Sequence, residues 1–486
     1  MPSSFSVFVA EYWPHVAVFV TTVASLAAAV HAAMTKQDVR AAIGWVAVVL
    51  FSPVFGVLFY LVAGVNRVRY TKVGQLRDQS DPLLHRRPTI SDVDVSLMTL
   101  PRFASMKVLG DRISQFALTA GNRVTPLDGG DETYTAMLAA IRSARSTIAL
   151  GSYIFDNDPA GRAMADALIE AQERGVTVRV LIDSIGAKYS RPAITWRLGR
   201  GKVRTALFMS STLGLRLPYA NLRSHRKLLI IDGHLGFSGG MNIRSGFTRE
   251  GARGEPARDA HFRVEGPVVA QLMTVFAHDW EFTTGESLRS ETWFPIGSPS
   301  FFDDGMPVRA VASGPDRNVG TTHDMILGAL SVAQERVCIQ SPYFLPDQAQ
   351  IAALTIAARR GVRVDVVIPG TNNLRLVDYA MTAQLDQLVG KGVRIWRSAG
   401  TFDHAKLMTV DGLWSYVGSS NLDPRSMRLN FELDMEIYGR SVAHWIIARI
   451  ERNMAGATEE TPATLAARPF TKRLRNRLIW LASPYL

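Results

Sequence analysis

With 486 residues, 47% of them hydrophobic and 20% charged, the chain exceeds what one core usually organises, and about two to four units of ordinary domain size are expected. A net charge of +11 points to an anionic partner, whether nucleic acid, a membrane surface or a phosphorylated substrate, and does not choose among them. The single cysteine, Cys338 in the apolar run RVCIQS, excludes an intrachain disulfide framework and a thiolate metal cluster, and reads as a small hydrophobe in a strand.

The opening MPSSFSVFVAEYW lacks the Lys or Arg of a signal-peptide n-region. From Tyr12 to Met34 and again from Ala41 to Val65 no residue is charged, and each stretch exceeds the about 20 residues that span a hydrocarbon core. Only TKQDVR separates them, so residues 1–66 are predicted to form a transmembrane helical hairpin with both outer ends on one side. Pro53, Gly56 and Gly64 are tolerable in such a helix. Its partner carries the more polar set His15, Thr21, Thr22, Ser25 and His31. Lys36 and Arg40 in the turn are outnumbered by Arg67, Arg69, Lys72, Arg77, Arg86 and Arg87 after it, which places the remainder of the chain in the cytoplasm. Residues 67–115, basic and punctuated by proline, read as a juxtamembrane connector.

The rest is a duplication. STIALGSYIF around Tyr153 matches ERVCIQSPYF around Tyr343. Each is followed by an Ala-rich helical pattern, a Gly stop and an alternating strand, in GRAMADALIEAQERGVTVRVLID and in AQIAALTIAARRGVRVDVVIP, which is the pattern of an α/β unit with parallel strands. HRKLLIIDGHLGFSGGMN then starts at His225 and HAKLMTVDGLWSYVGSSN at His404, 179 residues later, a spacing of duplicated domains rather than solenoid repeats. KLLII and KLMTV read as buried strands, with Asp-Gly at 232–233 and 411–412 as hairpin turns. The two domains are expected over 116–290 and 316–465, joined by a Pro/Gly/Ser-rich linker at 291–315 and followed by a basic amphipathic segment at 466–486.

In an extended strand, residues i and i+2 share a face, so His225 and Lys227 are expected together, as are His404 and Lys406. An ammonium beside an imidazole makes a poor metal site and a good phosphate site. The ring attacks phosphorus, the ammonium neutralises the non-bridging oxygens, and Asn242 and Asn421 add hydrogen bonds. In-line displacement also needs a proton donor on the far side, which one His cannot supply and a second motif can. Asp259 in ARDAHF and Glu432 in LNFELD, which belong with the two asparagines around the substrate, can orient an imidazole through its other nitrogen. Asp232 and Asp411 fall at turns, where holding the turn is the simpler role.

These two stretches resemble the phospholipase D superfamily mark H-x-K-x4-D-x6-G-[GS]-x-N, complete as His225, Lys227, Asp232, Gly239, Gly240, Asn242 and as His404, Lys406, Asp411, Gly418, Ser419, Asn421. The paired membrane segments, YIFDNDPAGR, NLRSHRKLLIIDG, GSSNLDPRSMRLNFE and the closing SPYL narrow the resemblance to bacterial cardiolipin synthases. One departure is GG after the first motif, where many members have GS. The resemblance implies two phospholipase D-like α/β domains related by pseudo-two-fold symmetry, with one site at their interface. Catalysis would rest on His225, Lys227, Asp232, His404, Lys406 and Asp411, without metal or cofactor. It also implies transfer of a phosphatidyl group between two phosphatidylglycerols, giving cardiolipin and glycerol through a phosphatidyl-histidine, with His225 as nucleophile and His404 as acid. The location implied is the bacterial inner membrane. Alternatives are a phospholipase D or transphosphatidylase using another donor or acceptor, or a nuclease-type phosphodiesterase. Against the last stand the membrane segments and the lack of an aromatic-interleaved basic stripe. No role falls to His85, His234, His261, His278, His323 or His444. The pairs Asp156 with Asp158 and Asp303 with Asp304 read as turns. ALFMSSTLGLRLPYA reads as core or an acyl-chain entrance, and Phe470, Leu474, Leu478 and Leu481 as one face of a terminal helix suited to a membrane surface.

Overall fold

The computed structural model describes residues 4–36, 38–65, 74, 77, 93–95, 99–209, 221–295 and 300–483, in two compact units, Met1–Arg69 and Tyr70–Leu486. In the first, a 32-residue helix runs Ser4–Thr35. Its stretch Glu11–Thr35, with mean hydropathy 1.9, is long and apolar enough to cross a bilayer. The second apolar segment is not one helix. It breaks into Val39–Phe51, Phe55–Phe59 and a π turn at Tyr60–Gly64, because Pro53 lacks an N–H and its ring crowds the preceding turn. Gly56 fits there because a Cβ would overlap the Val48 carbonyl. Two buried hydroxyl groups are satisfied internally: that of Ser25 donates to Val49 O, and that of Tyr60 meets His31 Nδ1 at 2.7 Å. Of the basic residues expected to orient this unit, Arg67, Arg69, Lys72, Arg86 and Arg87 lie outside the described residues, as do 210–220 of the apolar stretch before the first motif and the closing residues of SPYL.

The second unit is built on one 16-stranded sheet. Thr147–Ser152 pairs in parallel with Thr177–Asp183, and Arg336–Gln340 with Arg363–Pro369, each pair linked by a helix, Pro159–Glu173 or Gln348–Arg359. The helices begin where the sequence signals, at Asp158 and Asp347, whose carboxylates accept from Gly161 N and Gln350 N at 2.9 Å. They stop at Gly175 (φ 93°) and Gly361 (φ 92°), a left-handed conformation that other residues resist. The motif hairpins are Leu228–Ile231 with Leu235–Gly239 and Leu407–Val410 with Trp414–Gly418, turning at Asp232–Gly233 and Asp411–Gly412, all four with positive φ. Each half has its own buried core.

Two stretches read as connectors enter this architecture. Within 67–115, the helix Phe103–Ile113 buries Phe103 and Met106 in the core of the second half. Within 291–315, Met306–Ser313 is a strand running antiparallel to Asn430–Tyr438 on one side and touching Thr119–Asp128 on the other. Pro, Gly and Ser at 295–305 signal the break but not the strand after it, whose Arg309 looks foreign to a core. Its guanidinium is neutralised by Asp111 at 2.8 Å and Glu436 at 2.7 Å, as a buried charge requires. Thr119 opposite Val308 and Asn122 opposite Met306 carry the sheet from one half to the other. The C-terminal helix Phe470–Trp480 stacks Arg475 on Tyr379 at 3.6 Å, pairs Arg477 with Asp386, and leaves Phe470, Leu474, Leu478 and Leu481 exposed.

Candidate active site

Both motif histidines line one cavity of about 690 Å³ between the halves of the second unit. Their backbones are pinned across the duplication: His225 N donates to Phe431 O at 2.8 Å, and His404 N to Arg258 O at 2.7 Å. The residue after each of those carbonyls holds the corresponding ring. His225 Nδ1 lies 2.9 Å from Glu432 Oε2 and 3.1 Å from Ser419 O, and His404 Nδ1 lies 2.8 Å from Asp259 Oδ2. Each imidazole therefore belongs to one half and its carboxylate to the other. Since a carbonyl and a carboxylate only accept, Nδ1 carries the proton in both rings, and Nε2 of the neutral imidazole keeps its lone pair.

Neighbouring residues lock this arrangement. Arg226 donates to Glu432 O at 3.0 Å and pairs with Asp279 at 2.6 Å. Asp403, beside His404, pairs with Arg449 at 3.0 Å, and Arg449 also reaches Asp128 of the first half at 3.0 Å. The Ser419 hydroxyl donates to Glu432 Oε2 at 2.6 Å, whereas Gly240, its counterpart, sits against Asp259 with no room for a side chain. The GG departure thus matches the shorter reach of aspartate.

The strands start only at Leu228 and Leu407, so each His-Lys pair precedes its strand instead of lying within it. Lys227 Nζ donates to His225 O and Lys406 Nζ to His404 O, which holds each ammonium beside its imidazole. Burial, reinforced by Lys227 and Lys406, pushes His225 well below its ordinary pKa, and burial with Lys406 takes His404 down to about 4. Burial also lowers Lys227 to about 7 and Lys406 to about 8. Burial alone raises a carboxylate, and Glu432 is raised, but His404 and Lys406 outweigh that effect at Asp259 and lower it. A site with two neutral imidazoles and two strained ammonium ions is poised for an anion, whose charge restores proton affinity to all four.

Asn242 and Asn421 line the same cavity. Asn242 Oδ1 accepts from Ile154 N at 3.1 Å, and its amide N–H groups make no hydrogen bond among the described residues. Tyr153 and Tyr343, the matched tyrosines of the repeat, stack edgewise on His225 and His404 at 5.2 and 6.2 Å. Their place in the repeat was the sequence signal for this role. Asp232 and Asp411, counted by the resemblance among the catalytic residues, are elsewhere. Asp232 accepts from the backbone N–H of Arg145, Ser146 and Thr147 at 2.7–2.9 Å, and Asp411 from Gln334, Glu335 and Arg336 at 2.8–3.0 Å. They staple the hairpin turn to the loop entering the neighbouring strand, a consequence of their left-handed turn position. Asp156 pairs with Arg244 at 2.8 Å, and Asp158 caps its helix, so this pair is spent on structure. His261, which the sequence leaves without a role, is buried, with neither ring nitrogen hydrogen-bonded among the described residues.

A family model described as "Cardiolipin synthase, PLD-like domain" matches residues 137–280 and 326–454, and "Phospholipase_D-nuclease N-terminal" matches 23–64. Cardiolipin synthase A of Pseudomonas fluorescens is 32% identical over 95% of this chain and 96% of that protein. Cardiolipin synthase A of Pseudomonas aeruginosa is 33% identical over 94% and 93%, and that of Pseudomonas syringae pv. syringae 35% identical over 84% of each. Among solved structures, phosphatidylserine synthase of Haemophilus influenzae superposes with a TM-score of 0.59 at 16% identity, covering 79% of this chain and all of that one, a likeness of fold.

Proposed function

The chain belongs to the phospholipase D-like cardiolipin synthase family, and from that premise we propose that it joins two phosphatidylglycerols into cardiolipin and glycerol. It is a phosphatidyltransferase. In the first step Nε2 of one motif histidine attacks the phosphorus of a phosphatidylglycerol. The bound phosphodiester's charge lets Nε2 of the other histidine take up a proton from solvent, and as the P–O bond to glycerol breaks the departing oxygen takes that proton. In the second step a glycerol hydroxyl of another phosphatidylglycerol returns its proton to that histidine and attacks the phosphorus, the P–N bond breaks, and cardiolipin leaves. One phosphodiester is exchanged for another, so no external energy source enters. Lys227, Lys406, Asn242 and Asn421 hold the non-bridging oxygens in this scheme, and Glu432 and Asp259 orient the rings and stabilise each imidazolium.

The observation that carries this reading is the crossed pair of buried imidazoles on one cavity, each with Nδ1 committed to a carboxylate of the opposite half. The N-terminal unit anchors the enzyme as a two-segment hairpin with the catalytic unit cytoplasmic, and the exposed Phe470, Leu474, Leu478 and Leu481, with Leu374 and Leu376, rest on the lipid surface. Leu374 also lines the cavity, so this surface borders the entrance. The test is a product assay in liposomes with phosphatidylglycerol as the only phospholipid and a chelator present. Cardiolipin with equimolar glycerol is expected. Phosphatidic acid alone would make the protein a hydrolase, and loss of activity on chelation would require a metal.

A further inference from the structure

The two motif copies are alike at the imidazoles and unlike around them. Two residues before the motif histidine the first copy has Arg223 and the second Phe402; four residues after the motif asparagine the first has Gly246 and the second Arg425. All four line the cavity. The short strand Arg223–Ser224 pairs with Asn430–Phe431, and Arg425 reaches Asn221 O at 3.3 Å. Both arginines therefore come to the His225 flank. The His404 flank is aromatic instead, with Phe402 and Phe247 at 5.7 and 6.5 Å from its ring.

Neither Arg223 nor Arg425 has an ion pair among the described residues. Arg223 donates to Leu222 O at 2.6 Å, and the contact of Arg425 is the Asn221 carbonyl. The other cavity arginine, Arg244, is already neutralised by Asp156. Asp183 and Asp423 act on Arg223 and Arg425 electrostatically without forming an ion pair with them; their oxygens accept instead from Ile185, Gly186 and Ser224 N and from Ser426 N. Two partly buried guanidinium groups of like charge on one wall lose solvation and repel each other unless an anion joins them. The reacting phosphodiester is already served by two lysines. A reaction that joins two anionic lipids holds a second phosphodiester at the same time.

We propose that Arg223 and Arg425 form a second anion subsite that holds the non-reacting phosphodiester of the acceptor lipid, and so select an anionic lipid over a neutral alcohol as acceptor. This rests on the phosphatidyltransferase reading. The full chain in liposomes of phosphatidylglycerol with radiolabelled free glycerol reports two transfers at once: label entering phosphatidylglycerol, with a neutral acceptor, and cardiolipin, with an anionic one. In Arg223→Gln and in Arg425→Gln the ratio of cardiolipin to glycerol exchange is expected to fall about tenfold, as for loss of a charge-assisted contact. Arg223→Lys and Arg425→Lys should recover part of that ratio. Because both products come from the same folded molecules, a fall in folded protein leaves the ratio unmoved. An unchanged ratio overturns the subsite. Inhibition of glycerol exchange by inorganic phosphate that disappears in the glutamine variants, with the ratio unchanged, would make it a free-phosphate site and also overturn the acceptor assignment. Wild-type protein that makes neither product would instead sink the transferase reading itself.

Discussion

Replacing Asp259 with Asn tests the crossed pairing directly. The carboxylate lies 2.8 Å from His404 Nδ1 in a fully buried setting. Asparagine keeps an acceptor and loses the charge. At an effective dielectric of about 20, two unit charges about 4 Å apart interact by about 4 kcal/mol, and the surviving hydrogen bond retains part of that. A loss of about 2 to 4 kcal/mol corresponds to a fall in turnover of about 30- to 1000-fold. The sharper readout is the class of defect. A phosphatidyl ester of p-nitrophenol, whose leaving group departs without protonation, rescues a variant that has lost the acid and not one that has lost the nucleophile. Asp259→Asn must then respond as His404→Ala does, and Glu432→Gln as His225→Ala does, whichever histidine is the nucleophile. If Asp259→Asn instead follows His225→Ala, its neighbour within the same half, the crossed assignment is refuted.

Burial lowers Lys227 to about 7 and Lys406 to about 8, so their ammonium forms are lost as pH rises through those values. kcat/KM, which reports the free enzyme and already falls with loss of the acid imidazolium, should steepen from about pH 7 and again above about pH 8; no added steepening up to about pH 9 would contradict this. Asp232→Ala removes the acceptor of three backbone N–H groups from a left-handed turn, and a loss of about 2 to 3 kcal/mol should appear in the urea midpoint. Its activity loss should track the unfolded fraction; wild-type stability would remove the stapling role. The pair Leu474→Glu and Leu478→Glu should raise KM for liposomal phosphatidylglycerol about tenfold by removing apolar contact with the bilayer, while short-chain substrate dispersed in detergent shows no such rise. An equal rise in both systems would place the helix in folding instead of docking.

Local patterns carried much of this molecule. Asp158 and Asp347 at helix starts, Gly175 and Gly361 at their ends, and Asp-Gly at both hairpins act through the backbone of a few residues, so a linear reading finds them. The chemistry of His225, Lys227, His404 and Lys406 was legible for the same reason: residue type and spacing recur twice. Less legible were Pro53, which divides an uncharged run that composition alone reads as continuous, and Met306–Ser313, whose Arg309 is tolerable only because Asp111 and Glu436, both distant in sequence, surround it. The crossing of Glu432 to His225 and of Asp259 to His404 belongs to neither half alone. It exists because each motif backbone hydrogen-bonds to the residue before the opposite carboxylate, so only the docking of the two halves decides which acid holds which base. The same docking brings Arg223 and Arg425, more than two hundred residues apart in sequence, to one flank of the cavity. Propensity and periodicity act over a few residues, whereas desolvation and charge pairing act over whatever folding brings together.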